Sequence, residues 1–251
     1  YVEQEEKMIA GLKNYDTNFY RVNQTKTRNE ESNNLTANYN ESLAFQYNSV
    51  SGYTSDPDDI QRDFLDKLGY NICGDNMNIV NTSIIGADSL MNVKYILADY
   101  EINGLKKLEK LDAGNGKNIY QNPFVLPFAF TYPDSVISIN EKEKNPFLYQ
   151  NEIYSKLLGR NIELYKKLNY ERVDENNSVS FYLRLPEKES AVYGYCDMTE
   201  WGSGDIYANN EYLCGYNQWL APRVVYIPSS PDMKSIEVRI DKENAGQCIE
   251  D

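Results

Sequence analysis

The sequence predicts an α+β chain in two parts: a mixed α/β domain over residues 1–159, then a small antiparallel β-sandwich over residues 160–251. Three observations lead there. Helical periodicity with recognisable caps recurs up to Gly159 and then stops. Beyond it, short strand-like runs alternate with turn residues at close intervals. With 251 residues, 41% of them hydrophobic, the chain can bury a sizeable core.

Taken in order, residues 1–18 read as an exposed helix whose apolar side is Met8, Ile9 and Leu12. Residues 19–22 form a short strand, and the polar, Asn-rich stretch 23–40 is a long loop. Asp56-Pro57-Asp58-Asp59 opens a second helix: Asp56 caps, Pro57 takes the first helical position and Asp59 suits the dipole. Its core face is Ile60, Phe64, Leu65 and Leu68, and Gly69 ends it. A helix over 84–91 and a strand over 93–98 follow. Residues 104–111 and 118–120 pair as a hairpin around the turn 112–116. The apolar run 124–130, broken by Pro127, reads as a buried strand. Asn145-Pro146 starts another helix with Phe147, Ile153, Leu157 and Leu158 inward, stopping at Gly159. The sandwich strands are 161–172, 178–186, 190–198, 204–208, 211–214, 222–226 and 234–240.

Charge narrows the function classes. The net charge is −13 and the pI near 4.6, so phosphate backbones repel the chain and nucleic acid is excluded as a partner. Electrostatic attraction to an anionic membrane surface is excluded likewise. No apolar run reaches the roughly 18 residues of a membrane span. The opening Tyr1, with no initiator Met and no signal segment, reads as the start of a piece of something larger.

There is no histidine, which removes triads, Cys–His nucleophiles and imidazole bases. Cys73, Cys196, Cys214 and Cys248 form no CxxC pair, so no zinc site and no other cofactor is implied. The last three allow one local disulfide in an oxidising compartment, with buried free thiols as the alternative. Tyrosine stands out, with 22 residues against 8 Phe and 2 Trp. That suits a wet binding surface and equally an AT-rich coding bias.

Six motifs in order resemble one family. They are Asn18-Phe19-Tyr20-Arg21-Val22, Gly52-Tyr53-Thr54-Ser55, 64–70 (from Phe64 to Tyr70), 88–97 (from Asp88 to Leu97), 120–127 (from Tyr120 to Pro127) and 145–151 (from Asn145 to Asn151). The chain resembles the C-terminal extracytoplasmic region of the bacterial YfhO-like membrane proteins over residues 15–160, and more weakly beyond. The resemblance implies a polytopic membrane protein of the glycosyltransferase C type, using lipid-linked sugars to decorate cell-wall polymers such as lipoteichoic acid. In that class the catalytic acid lies between transmembrane helices, so no catalytic residue transfers to this chain.

One segment suggests sugar contact. Around 193–205, Tyr193, Tyr195 and Trp201 alternate with Asp197, Glu200 and Asp205, and Tyr207, Tyr212, Tyr216 and Trp219 continue the theme. Aromatic faces suit sugar C–H bonds, and carboxylates suit hydroxyls. The tentative carbohydrate-binding set is Trp201, Trp219, Tyr193, Tyr195, Tyr207, Asp197 and Asp205, on a sandwich similar in outline to a carbohydrate-binding module. Alternating aromatics also make ordinary core.

Three functions compete. The first is a non-catalytic domain on the extracytoplasmic face that positions a cell-wall glycopolymer or oligosaccharide for its own transmembrane part. The second is a structural or protein-interaction cap over that part. The third is a secreted hydrolase using two carboxylates about 5–10 Å apart. A polyanionic polymer and an acidic module repel one another, so contact requires bridging cations, a basic patch or an uncharged sugar end.

Overall fold

A computed structural model of the chain describes residues 1–25, 40–53, 58–70, 72–73, 77–78, 82–186, 190–195, 204–216, 224–230 and 232–242. The fold is α+β, in two units, Tyr1–Tyr165 and Lys166–Asp251. Among the described residues no helix is long and apolar enough to cross a membrane.

The first unit opens with α1 (Val2–Tyr15), β1 (Arg21–Gln24), α2 (Glu41–Ala44), β2 (Gly52–Tyr53), α3 (Asp59–Lys67), β3 (Ile72–Cys73) and β4 (Met77–Asn78). It continues with α4 (Ile85–Leu90), β5 (Val93–Ala98), β6 (Lys106–Lys107), β7 (Asn118–Gln121), a 3-10 turn (Asp134–Ser138) and α5 (Pro146–Leu158). The main sheet runs β1-β5-β7-β6, with β1 parallel to β5 and the other pairs antiparallel. A small antiparallel sheet is ordered β2-β4-β3. Strand β5 is central and buried on both faces. Tyr95 and Leu97 meet Met8, Ile9 and Leu12 of α1, while Ile96 faces the other way.

Two polar hubs are sealed into this unit. Glu5 and Lys117 are both 0% exposed and form an ion pair of 2.8 Å. Lys117 also donates to Gln24 Oε1 and to the Tyr1 hydroxyl, while Gln24 Nε2 and Asn115 Nδ2 donate to Glu5 at 2.7 and 2.9 Å. In the second hub, Asp88 accepts from the Tyr70 hydroxyl (2.7 Å), Ser83 Oγ (2.7 Å) and Asn23 Nδ2 (2.9 Å). Burial raises its carboxyl to about 6 against the lowering effect of those bonds.

Several sequence expectations are corrected. The first helix is not merely an exposed element, because its Glu5 is at the centre of a buried network. Asp56 and Pro57 lie outside the described residues. Helix α3 is capped by Asp58, whose side chain accepts from the Gln61 N–H at 2.8 Å. Ile60 is 81% exposed, and the inward stripe is Leu65 and Leu68. Residues 124–130 are no buried strand but an exposed irregular segment, because Pro123 and Pro127 deny the ladder its donors.

In α5 the Asn145 cap accepts from the Phe147 and Leu148 N–H groups, and Gly159 closes the helix with φ +62°, as expected. Its buried face, however, is Pro146, Tyr149, Gln150 and Ile153, while Leu158 is exposed. Residues 161–165 are not strand. They fold back along α5, where Ser155 Oγ holds the Ile162 backbone and Asn151 holds that of Tyr165.

The second unit comprises β8 (Tyr170–Asp174), β9 (Ser178–Arg184), β10 (Val192–Tyr195), β11 (Gly204–Ala208), β12 (Glu211–Tyr216), β13 (Val224–Ile227) and β14 (Ser235–Asp241). A five-stranded antiparallel sheet is ordered β12-β11-β14-β9-β8, and β10 pairs antiparallel with β13. Both sheets contribute to one core: Val179, Ile206, Ile236, Val238 and Ile240 from the larger, Val192, Val225 and Ile227 from the smaller.

Candidate functional site

Strand alternation fixes what the five-stranded sheet shows on its outer side. Ile206 and Ala208 of β11 and Ile236, Val238 and Ile240 of β14 face the core. Their neighbours Asp205, Tyr207, Glu237, Arg239 and Asp241 therefore point away from it. The register sets Tyr207 opposite Arg239, and Arg239 opposite Ser180.

These residues form a connected polar and aromatic surface. The Arg239 guanidinium lies 4.5 Å from the Tyr207 ring centre, donates to Asp241 Oδ1 at 3.0 Å and to Asn210 Oδ1 at 2.8 Å. Tyr207 meets Tyr212 edge-on, with ring centres 5.8 Å apart, and its hydroxyl donates to Asp205 at 3.4 Å. Glu237 accepts from Ser180 Oγ at 3.0 Å and from the Tyr182 hydroxyl at 3.1 Å. The β11–β12 hairpin turns through Asn209 and Asn210, both with positive φ, which matches the right-handed twist of the strands. Asn209 then clips the turn to β14, exchanging bonds with the Glu237 backbone at 2.9 and 3.0 Å.

Partial burial and the Asp205 carboxylate push the Tyr207 hydroxyl up, and the Tyr212 hydroxyl is raised for the same two reasons. For Tyr182 the leading cause is its hydrogen bond to Glu237. All three phenols thus stay neutral donors at ordinary pH. Because Arg239 covers one face of Tyr207, the open aromatic platform is Tyr212, 60% exposed. A ring, neutral phenols and carboxylate acceptors side by side can receive a sugar's C–H face and its hydroxyls.

The seven residues expected from sequence fall into three groups. Tyr207 and Asp205 come together on this face. Tyr193 and Tyr195 lie on β10, pointing away from the core that Val192 enters, on the other face of the small sheet, where their cross-strand partners Tyr226 and Val224 are buried. Tyr193 packs there edge-on against Tyr226, ring centres 5.7 Å apart. Trp201, Trp219 and Asp197 lie outside the described residues. Sequence reasoning missed Arg239, Glu237 and Tyr182, although the alternation of Ile236, Val238 and Ile240 places Glu237 and Arg239 outward.

Cys214 is a free thiol among the described residues, pushed up to about 12 by burial and then by Asp205; Cys196 and Cys248 lie outside them. Among the described residues no three His, Cys, Asp or Glu side chains group to hold a metal ion. Asp88, the buried carboxyl with a raised pKa, has hydroxyl and amide partners and no second carboxylate among its hydrogen bonds. It acts as a tie between strand, helix and loop.

The family model described as bacterial membrane protein YfhO matches residues 1–183. It covers the first unit and the strands β8 and most of β9, whereas Asp205, Tyr207, Tyr212 and Arg239 lie beyond it. No curated protein and no solved structure matches the chain.

Proposed function

The chain belongs to the YfhO family of bacterial membrane proteins, and from that premise we propose that it is the extracytoplasmic domain of a polytopic glycosyltransferase-like protein. In this reading it recognises the acceptor glycopolymer and positions it for the transmembrane part, which supplies the chemistry. The observation that carries the reading is the outward face of β11, β12 and β14, where Tyr212 offers an open ring beside Tyr207, Arg239 and Asp205.

Electrostatics selects the kind of sugar. The chain carries −13, and Arg239 is already engaged by Asp241 and Asn210. A polyanionic stretch of polymer is repelled, so the face suits an uncharged saccharide end.

Titration calorimetry with neutral oligosaccharides and purified cell-wall glycopolymers tests this, using Tyr212→Ala and Arg239→Ala together with Trp201→Ala and Trp219→Ala. Saturable binding, weakened at least tenfold by Tyr212→Ala, is expected. An absence of binding at millimolar saccharide removes the sugar role and leaves a structural cap as the better account.

A further inference from the structure

We propose that the uncharged aromatic segment 122–133 of the first unit seats on the lipid bilayer, burying its rings in the interfacial zone. The inference rests on the membrane location in the reading above and is independent of its sugar contact.

The composition is that of an interfacial element. Residues 122–133 contain no charged side chain, three of the eight phenylalanines of the chain and one tyrosine. Phe124 is 60% exposed and Phe128 62%, and Phe130 and Tyr132 are exposed too. An apolar strip of this kind on a protein surface marks a place where something else removes it from water.

The segment is held firmly while its rings face outward. Buried Asn122 donates to Ser89 Oγ (3.0 Å) and the Val93 carbonyl (3.2 Å), and its own Oδ1 accepts from the Phe124 N–H (3.0 Å). Leu126 is tied at both backbone groups: its N–H donates to the Ser89 carbonyl at 2.9 Å, and its carbonyl accepts from Asn92 Nδ2 at 2.7 Å. Phe128 packs against exposed Phe19 with ring centres 4.5 Å apart and planes tilted by 57°. The Arg21 guanidinium lies 5.8 and 5.7 Å from those two ring centres and is anchored on the Met91 carbonyl at 2.7 Å. The apolar surface is thus prebuilt, with the N–H groups of Asn122, Phe124 and Leu126 and the Leu126 carbonyl bonded toward the protein, which lowers the cost of burying them away from water.

The bilayer is the occupant these observations favour. The segment lies inside residues 1–183, the stretch matched to a family of membrane proteins. A second copy is disfavoured because each carries −13 and the two repel. The same charge predicts the lipid preference. Anionic headgroups repel the chain, so seating is driven by ring burial and not by charge. Phenylalanine rings sink below the headgroups, and the Tyr132 hydroxyl stays at their level.

The test is flotation of the 251-residue chain with phosphatidylcholine vesicles, compared with Phe124→Ser/Phe128→Ser/Phe130→Ser. Replacement of part of the lipid by phosphatidylglycerol forms the second arm. A Phe128→Trp variant, read against the unsubstituted chain, reports quenching by acyl-brominated lipid should the triple variant misfold. Expected are flotation of the unsubstituted chain, at least a tenfold loss of partitioning in the triple variant, weaker binding with phosphatidylglycerol, and quenching of the introduced indole. The proposal is overturned if the chain does not float, if the triple variant floats equally well, if anionic lipid strengthens binding, or if the indole is not quenched. A lipid-free dimer abolished by the serines also overturns it, in favour of a second copy. Sugar titration of the triple variant is expected to be unchanged, so this inference and the sugar reading fail separately.

Discussion

Replacing Lys117 by methionine keeps an unbranched side chain but removes the ammonium that neutralises Glu5 inside the first unit. Both residues are fully buried, and the pair distance is 2.8 Å. After the change Glu5 keeps two neutral donors, Gln24 Nε2 and Asn115 Nδ2, but its charge has lost its counter-ion. Breaking a buried pair from one side costs about 3–5 kcal/mol. Removing both charges, as in Glu5→Leu/Lys117→Met, deletes that penalty; Gln24 loses its bonds to Glu5 and Lys117 but keeps the Tyr47 hydroxyl at 2.9 Å, a loss of about 1–3 kcal/mol. The double variant is therefore more stable than the single one. Because the chain has two units and global unfolding is not guaranteed to be two-state, the readout is local: hydrogen exchange of α1 and β7 peptides. At about 1.4 kcal/mol per tenfold, Lys117→Met raises their exchange by roughly 10²–10³·⁵. A rise below tenfold, or a double variant weaker than the single, would refute the assignment of this pair as a structural tie.

Three further outcomes follow from the same unit. Asp88 titrates near 6 when folded because of its burial, against about 3.9 unfolded. Its raised pKa gives stability that is full below pH ~4 and lost as pH rises through ~6. The stability of the native chain relative to Asp88→Asn should therefore fall by about 2 kcal/mol from pH 4 to 7, and a flat difference in urea midpoints contradicts it. Gly86→Ala sets a Cβ 2.5 Å from Gln150 Oε1 and 2.7 Å from both Leu164 Cδ2 and the Tyr165 hydroxyl. It should cost about 1–3 kcal/mol in thermal melts. Asn145→Ala removes the acceptor for two N–H groups at the start of α5 and should cost about 1 kcal/mol by the same measurement.

What the sequence revealed followed the strength of the local signal. Asn145-Pro146 and Gly159 delimit α5 because capping chemistry is local, and the strand run 93–98 is legible because every residue but Lys94 is apolar. The inward face of α5 was misread because two of its four buried positions are Tyr149 and Gln150, which hydropathy does not mark as core. Residues 124–130 look like core by hydropathy, and only the placement of Asn122 and the prolines shows them turned outward. Of the candidate sugar face, Tyr207 and Asp205 were visible as an aromatic beside a carboxylate. Arg239 was not, since its position depends on a register between strands more than 30 residues apart. The Glu5–Lys117 pair lay still further out of reach, because no local pattern announces which of many charges will be buried together.

That pair also orders events in time. Glu5 and Lys117 stand 112 residues apart in the chain. At roughly 5–20 residues per second, a ribosome supplies the lysine about 6–20 s after the glutamate. Until then Glu5 belongs in water, so α1 cannot dock its Met8–Leu12 side without stranding a charge. Helix α1 is thus among the last elements of the first unit to be committed, and the unit closes only when the hairpin at residue 117 arrives. A long-range contact of this kind slows folding; it also means that a chain cut short before residue 117 leaves Glu5 without its counter-ion.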